Sequence, residues 1–162
     1  MKHHILINIL LIFLTSCISP PSEPEDNGAA PAGDNGVLIL CEGIWKQNNS
    51  SLSYFDRESG KMTNEYYQKM NPGLNLGDLA NDLAIKGDTT FIAVSASKTI
   101  EAFRISTGKS LGRLILQGHR QPRELCIAGD RGYVTDLYDS SITAFDTRSM
   151  TITRSRRRVG PA

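Results

Sequence analysis

Histidine is scarce in this chain, and that scarcity removes whole classes of chemistry. Of three histidines, His3 and His4 fall in an apolar leader, so His119 stands alone in the rest of the 162 residues. A single histidine nearly excludes His-based metal sites and Ser-His-Asp chemistry, since His119 alone would have to serve. No sign of charge dominates either: the formal net charge is +1, and removing Lys2 with the leader leaves 17 basic against 17 acidic residues. The sequence therefore offers no electrostatic reason to bind nucleic acid. There are three cysteines, Cys17, Cys41 and Cys126, and a single tryptophan, Trp45. No apolar run approaches the roughly 20 residues that a membrane-spanning helix requires. The length suits one modest domain.

What is present begins with an export signal. Lys2 opens a short positive region, and Ile5 to Leu14 is almost unbroken aliphatic sequence, about half of what would cross a bilayer, as in a signal-peptide core. Leu14-Thr15-Ser16-Cys17 follows at once and resembles the bacterial lipobox, with Leu three residues before the thiol and a small residue just before it. The expectation is a signal peptide over 1–16 and a lipid on Cys17, which anchors the mature chain to a membrane. Residues 17–36 read as a tether. Ile18 to Gly36 holds four prolines, three glycines and one large aliphatic residue, too little apolar area to offset chain entropy.

The rest, 37–162, repeats. Leu83 to Ser106 lies on Leu125 to Arg148 without a gap at an offset of 42 residues. Leu83 matches Leu125, Ile85 Ile127, Gly87-Asp88 Gly129-Asp130, Phe91 Tyr133, Ile100 Ile142, and Ala102-Phe103 Ala144-Phe145. A period of about 42 is that of a four-stranded propeller blade. Within one unit, Glu124–Ala128, Gly132–Leu137, Ser141–Asp146 and Thr151–Arg156 read as successive strands, the first two joined by a tight Gly-Asp turn. Ile142 and Ala144 fall on one face of the third strand and Phe145 on the other, which suits a blade held between two neighbours. The polar, basic last strand suits an outer edge.

A third, degraded copy lies upstream, where Leu52 to Lys61 matches Ile100 to Lys109 at an offset of 48. Val37–Cys41 would be its second strand, and no first strand is legible. The expected fold is all-β: a partial β-propeller of two complete blades, about 80–117 and 122–159, and one incomplete blade, about 37–70. Closed propellers carry roughly four to eight blades, so the chain reads as a truncated product or gene fragment.

Gly132-Tyr133-Val134-Thr135-Asp136 resembles the signature of the YVTN-type β-propellers, with Asp136 where that pattern has Asn. Leu40-Cys41-Glu42-Gly43, Leu76-Gly77-Asp78 and Gln121-Pro122-Arg123 are similar to segments of the YncE-like surface lipoproteins of Bacteroidetes. The acidic cluster Glu23, Glu25 and Asp26 resembles the signals that route some lipoproteins of that group to the cell surface. The resemblance implies an outer-membrane lipoprotein, facing the periplasm or the surface, that binds a small molecule or cofactor without enzymatic chemistry. It extends to a cobalamin-like ligand and a TonB-dependent transporter as partner, although no residue here is specific to cobalamin, and no resident cofactor is implied. A protein-interaction or envelope scaffold is the alternative. A propeller enzyme such as a lactonase is the second, weakened by the lack of an acid/base pair or metal cluster.

Two motifs are decoys. Thr107-Gly108-Lys109-Ser110 imitates the end of a phosphate-binding loop, but Phe103 stands where the loop needs its first Gly, and the matching Ser59-Gly60-Lys61 marks both as strand-to-strand turns. Arg154, Arg156, Arg157 and Arg158 lack interleaved aromatics and read as a solvated, aggregation-resisting edge. Cys41 and Cys126 sit in apolar strands and read as buried free thiols. Three loops are richer than turns require, and they supply the candidate ligand contacts: Trp45, Asn48 and Asn49 in the first, Asp78 and Asn81 in the second, and Arg120, Gln121 and Arg123 in the third. An exposed Trp45 could stack on a planar ligand.

Overall fold

The computed structural model describes residues 35–157; the leader, Cys17, nearly all of the tether and Arg158 lie outside them. Eleven strands and one short helix form three antiparallel sheets: β1 (Gly36–Cys41), β2 (Ser51–Asp56) and β3 (Met62–Thr63); β4 (Ala80–Lys86), β5 (Thr89–Val94), β6 (Thr99–Arg104) and β7 (Ser110–Ile115); and β8 (Pro122–Ala128), β9 (Arg131–Asp136), β10 (Ser141–Asp146) and β11 (Thr151–Arg157). Each sheet runs in chain order, as a meander does. The fold is a partial β-propeller. The repeat appears as two like-built four-stranded blades, with Gly87 and Gly129 in the left-handed conformation (φ 56° and 58°) that the tight β4–β5 and β8–β9 turns require. β4 runs beside β8, so the first strand of each complete blade is the inner one and β7 and β11 are outer.

The register decides which side chains fill the seams between blades. Residues paired across strands share a face, and Phe55, Phe103 and Phe145 hold the same place in the three blades: Phe55 pairs with Val37, Phe103 with Thr90 and Phe145 with Gly132. Phe103 points to the preceding blade and packs with Leu52, Tyr54, Leu76, Ile92 and Val94. Phe145 repeats this one seam further on, among Phe91, Ile100, Ala102, Leu125 and Val134. The opposite face of each β-meander, Leu52 and Tyr54 in the first blade and Ile100 and Ala102 in the second, covers the blade that follows. The core thus falls into two clusters, one in each seam.

Three features depart from the sequence reading. First, a helix, α1 (Tyr66–Met70), replaces most of the outer strand of the first blade. Its Tyr66, Tyr67 and Met70 are buried, and Tyr66 Oη donates to the Ile105 carbonyl at 3.2 Å. Asn71, just after it, spans the β6–β7 turn by donating to the Gly108 carbonyl and accepting from the Ser110 N–H, both at 2.8 Å. Second, Cys41 and Cys126 are free thiols, as expected, but exposed rather than buried. Strand alternation puts Cys41 with Val37 and Ile39 on the outer face of the first blade, and Cys126 pairs with Tyr133 on the outer face of the last. Those two faces have no blade against them among the described residues. Third, a charge is buried in the first seam. Glu101 is 1% exposed, ion-pairs with Arg113 Nε and accepts from Tyr67 Oη at 3.2 Å. Burial raises the Glu101 carboxyl above its ordinary value despite the pull of Arg113, and burial likewise raises the Tyr67 phenol.

Candidate binding surface at the loop end

In an antiparallel meander, alternate connections fall at the same end of the sheet. Ala80, the Val94–Thr99 turn and Ile115 therefore lie together at one end of the second blade, and the third blade repeats the arrangement with Pro122 and the Asp136–Ser141 turn. All three residue-rich loops emerge at this end. Backbone hydrogen bonds stitch each blade-to-blade loop to a turn beside it: Ser95 N–H to Leu79 O, Leu116 N–H to Lys98 O and Leu137 N–H to Gln121 O, each at 2.8 Å.

The β1–β2 loop and the loop leading into β4 form one cluster. Lys46 N–H donates to Asp78 Oδ2 at 2.7 Å, and Asn81 Nδ2 donates to Glu42 Oε1. Asp78 Oδ1 and Asn81 Oδ1 are buried without a hydrogen-bond partner. Trp45 is 63% exposed, and Lys46 Nζ lies 4.3 Å from its ring centroid. The indole lies outside the seams and open to a partner. Asn49 is committed to its own loop, accepting the Ile44 N–H at 2.8 Å. Asn48 adopts a left-handed backbone (φ 51°), so it shapes the turn.

A cavity of about 480 Å³ opens one blade further on, lined by Gln117, Gly118, His119, Arg120, Asp136, Tyr138, Asp139 and Ser141. Asp136 organises it. Its Oδ1 accepts the N–H groups of Tyr138 and Asp139 at 2.9 and 3.0 Å, and its Oδ2 accepts that of Gln121 at 2.9 Å, so one carboxylate ties the β9–β10 turn to the loop before β8. A carboxylate suits this place because all three partners are donors. Arg120 Nη1 reaches Thr143 Oγ1 at 3.4 Å, while Tyr138 is 76% exposed at the mouth. Ser141 is buried and its hydroxyl has no hydrogen-bond partner. The volume lies within the roughly 300–1,000 Å³ of small-molecule sites, and the lining combines a cation, an imidazole, an aromatic ring, two carboxylates and a hydroxyl.

The two clusters share one rim. The β5–β6 turn lies between them, with Ser97 Oγ accepting the Asp78 N–H at 2.8 Å on one side and Lys98 Nζ donating to the Gly118 carbonyl at 2.9 Å on the other. Trp45, Asp78 and Asn81 gather on the first side of that rim and Arg120 on the second. Gln121 enters through its backbone alone, and Arg123 stands apart, in a surface ion pair with Glu124 at 3.5 Å. Sequence reasoning missed His119, Tyr138, Asp139 and Ser141. A signal existed for two of them: Tyr138 and Asp139 stand where the preceding repeat has Ala96 and Ser97.

The fold and its loop end define a class, the β-propellers, of which this chain displays a part. No family model and no curated protein sequence matches it. Among solved structures it is similar to a chain in the crystal structure of a nidogen/laminin complex, with a TM-score of 0.54 and 14% identity over 76% of this chain and 43% of that one. It is also similar to the computationally designed Ika8 protein, with a TM-score of 0.56 and 16% identity over 79% of this chain and 36% of that one. Identities this low show the fold alone, and the chain spans less than half the length of either neighbour.

Proposed function

We propose that this chain is a non-enzymatic binding unit of a lipid-anchored envelope protein, which captures a small polar or planar molecule on its loop end. The observation that carries the reading is the convergence of all three residue-rich loops on one rim, with the cavity over Arg120 and Tyr138 on one side and exposed Trp45 in the cluster with Asp78 and Asn81 on the other. An aromatic face with a few convergent polar groups is how a binding site fixes orientation. The resemblance to YncE-like surface lipoproteins supports the anchor at Cys17 and a corrinoid as the first ligand to test, with a TonB-dependent transporter receiving it. A second reading, a docking surface for a protein, draws on exposed Ile44 and Trp45 at the tip of the β1–β2 loop, since exposed aromatics anchor protein interfaces.

The test is titration of the chain with cobalamin, followed by absorbance and by quenching of its one tryptophan. Saturable binding lost in Arg120→Ala or Trp45→Ala supports the reading. Binding untouched by both substitutions, or no binding, removes the corrinoid reading. For the anchor, a fatty-acid analogue fed to cells should label the wild type and not Cys17→Ala.

A further inference from the structure

The cavity at the loop end holds charges of both signs that do not pair with each other. Arg120 and Asp136 both line it and both are half-buried, yet among the described residues neither forms an ion pair, with the other or with any further side chain. Each also has bonding capacity left. A guanidinium carries five donors, and that of Arg120 uses one, Nη1 toward Thr143 Oγ1 at the long distance of 3.4 Å. A carboxylate accepts at about four lone-pair sites, and Asp136 fills three of them with the N–H groups of Gln121, Tyr138 and Asp139. Those partners are dipoles, so the carboxylate has no counter-charge. The blade architecture does not call for this arrangement. In the second blade Ser95 N–H meets Leu79 O just as Leu137 N–H meets Gln121 O one repeat later, but Asp78, Val94 and Ala96 stand in the places of Arg120, Asp136 and Tyr138.

We infer that this cavity takes a small zwitterion of the α-amino-acid type, its carboxylate on Arg120 and its ammonium on Asp136, with the ring of Tyr138 against its side chain. The inference rests on the reading of the loop end as a binding surface and names a ligand class for one side of it. Charge decides the class. A simple anion would satisfy Arg120 but meet the carboxylates of Asp136 and of Asp139, which also lines the cavity, and like charges at close range repel. A simple cation would satisfy Asp136 and face Arg120. A neutral ligand would displace water from both charges and compensate neither, which is costly. A zwitterion gives each group its opposite and leaves the net charge of the site unchanged. The planar fork of a guanidinium suits a carboxylate, which it can hold with two parallel N–H donors, and Asp139 adds to the negative charge that draws the ammonium. Tyr138, exposed at the mouth, offers a face on which an aromatic side chain can stack. The volume of about 480 Å³ accommodates a ligand of that size.

The experiment titrates the full chain carrying Cys17→Ser with L-phenylalanine by calorimetry, beside two analogues that each lack one charge: phenylalaninamide, without the carboxylate, and 3-phenylpropionate, without the ammonium. Phenylalanine should bind saturably and each analogue at least about tenfold more weakly, the loss expected when a charged group is left without its partner. Arg120→Gln, checked for folding by circular dichroism and a urea melt, should erase the advantage of phenylalanine over its amide and keep its advantage over 3-phenylpropionate. Should that variant not fold, the comparison of the three compounds on the unaltered cavity decides alone. Either analogue binding as tightly as phenylalanine would overturn the inference. So would binding of none of the three, or a folded Arg120→Gln chain that still prefers phenylalanine to the amide. The cobalamin titration on the same preparation keeps the two readings apart: corrinoid binding without the charge discrimination removes the zwitterion and leaves the binding surface, whereas failure of both titrations removes both.

Discussion

Phe145 and Phe55 occupy the same place in the repeat and differ in what covers them, so truncating each in turn weighs a seam directly. Phe145 is 0% exposed, with its ring centroid 6.0 Å from that of Phe91. It lies across Gly132, where an added Cβ would come within 2.0 Å of its Cζ, so the ring fills a slot that only glycine leaves open. Removing a ring so enclosed loses its transfer free energy and opens a cavity, about 3–5 kcal/mol in all. A small domain has a total margin of only about 5–15 kcal/mol, so Phe145→Ala should leave the chain marginal. Phe55 has only the near side of its seam, and losing a half-buried ring should cost about 1 kcal/mol. The assay is urea unfolding followed by circular dichroism, with slopes compared to confirm that the transition is unchanged. Equal losses, within about 0.5 kcal/mol, would show that the first face is as enclosed as the internal seams and would refute the account of the stack.

Other outcomes follow from single contacts. Asp136→Asn should destabilise by about 1–3 kcal/mol, because an amide nitrogen would face the Gln121 N–H that Asp136 Oδ2 now accepts and would leave that donor unpaired; an unchanged melt would free Asp136 of its organising role. Gly132→Ala should cost about 1–3 kcal/mol through overpacking on Phe145, and a wild-type urea midpoint would contradict the close approach. The response to acid should have two phases. Asp56 and Asp146 are held below their ordinary values by backbone N–H groups of the turns they cap, Asp88 by the Ser106 hydroxyl and Asp130 by Lys86. Their contributions are present above the unfolded value of 3.8 and are lost as pH falls through the depressed folded values. Glu101 runs the other way. Its folded value lies above the unfolded 4.5, so its contribution is complete below that pH and fades as pH rises through the folded value. Urea midpoints measured from pH 7 to 3 should therefore rise and then fall, and Glu101→Gln should remove the rise.

Strand positions were legible because two independent signals agree on them. Alternation marks which residues face a neighbouring blade, and the 42-residue offset repeats the pattern, so that β10 falls on Ser141–Asp146 as the sequence indicates. Where the repeat fails, the reading fails with it. Tyr66, Tyr67 and Met70 have no counterparts in the later blades, and a five-residue helix is too short to show a periodicity of its own. It is held instead by tertiary contacts, those of Tyr66 and Asn71 with the β6–β7 turn, which local sequence does not record. The cysteines illustrate a different gap. An apolar residue in a strand implies a buried face only if something lies against that face, and whether it does is a property of the stack rather than of the strand.

The site obeys the same division. Loop composition singled out residues on both sides of the rim, because Trp, Asp and Arg in a turn exceed what turn geometry demands. It could not separate residues that face outward from those that hold the loops in place, since both uses draw on the same side chains. Asn49 and the backbone of Gln121 are spent on internal hydrogen bonds, whereas the rings of Trp45 and Tyr138 stand open. What tells them apart is the count of hydrogen bonds already satisfied. By that measure the polar atoms left unsatisfied near the loop end are the hydroxyl of Ser141 and one side-chain oxygen each of Asp78 and Asn81, and all three are buried, so a ligand would meet them only if the loops that cover them shifted.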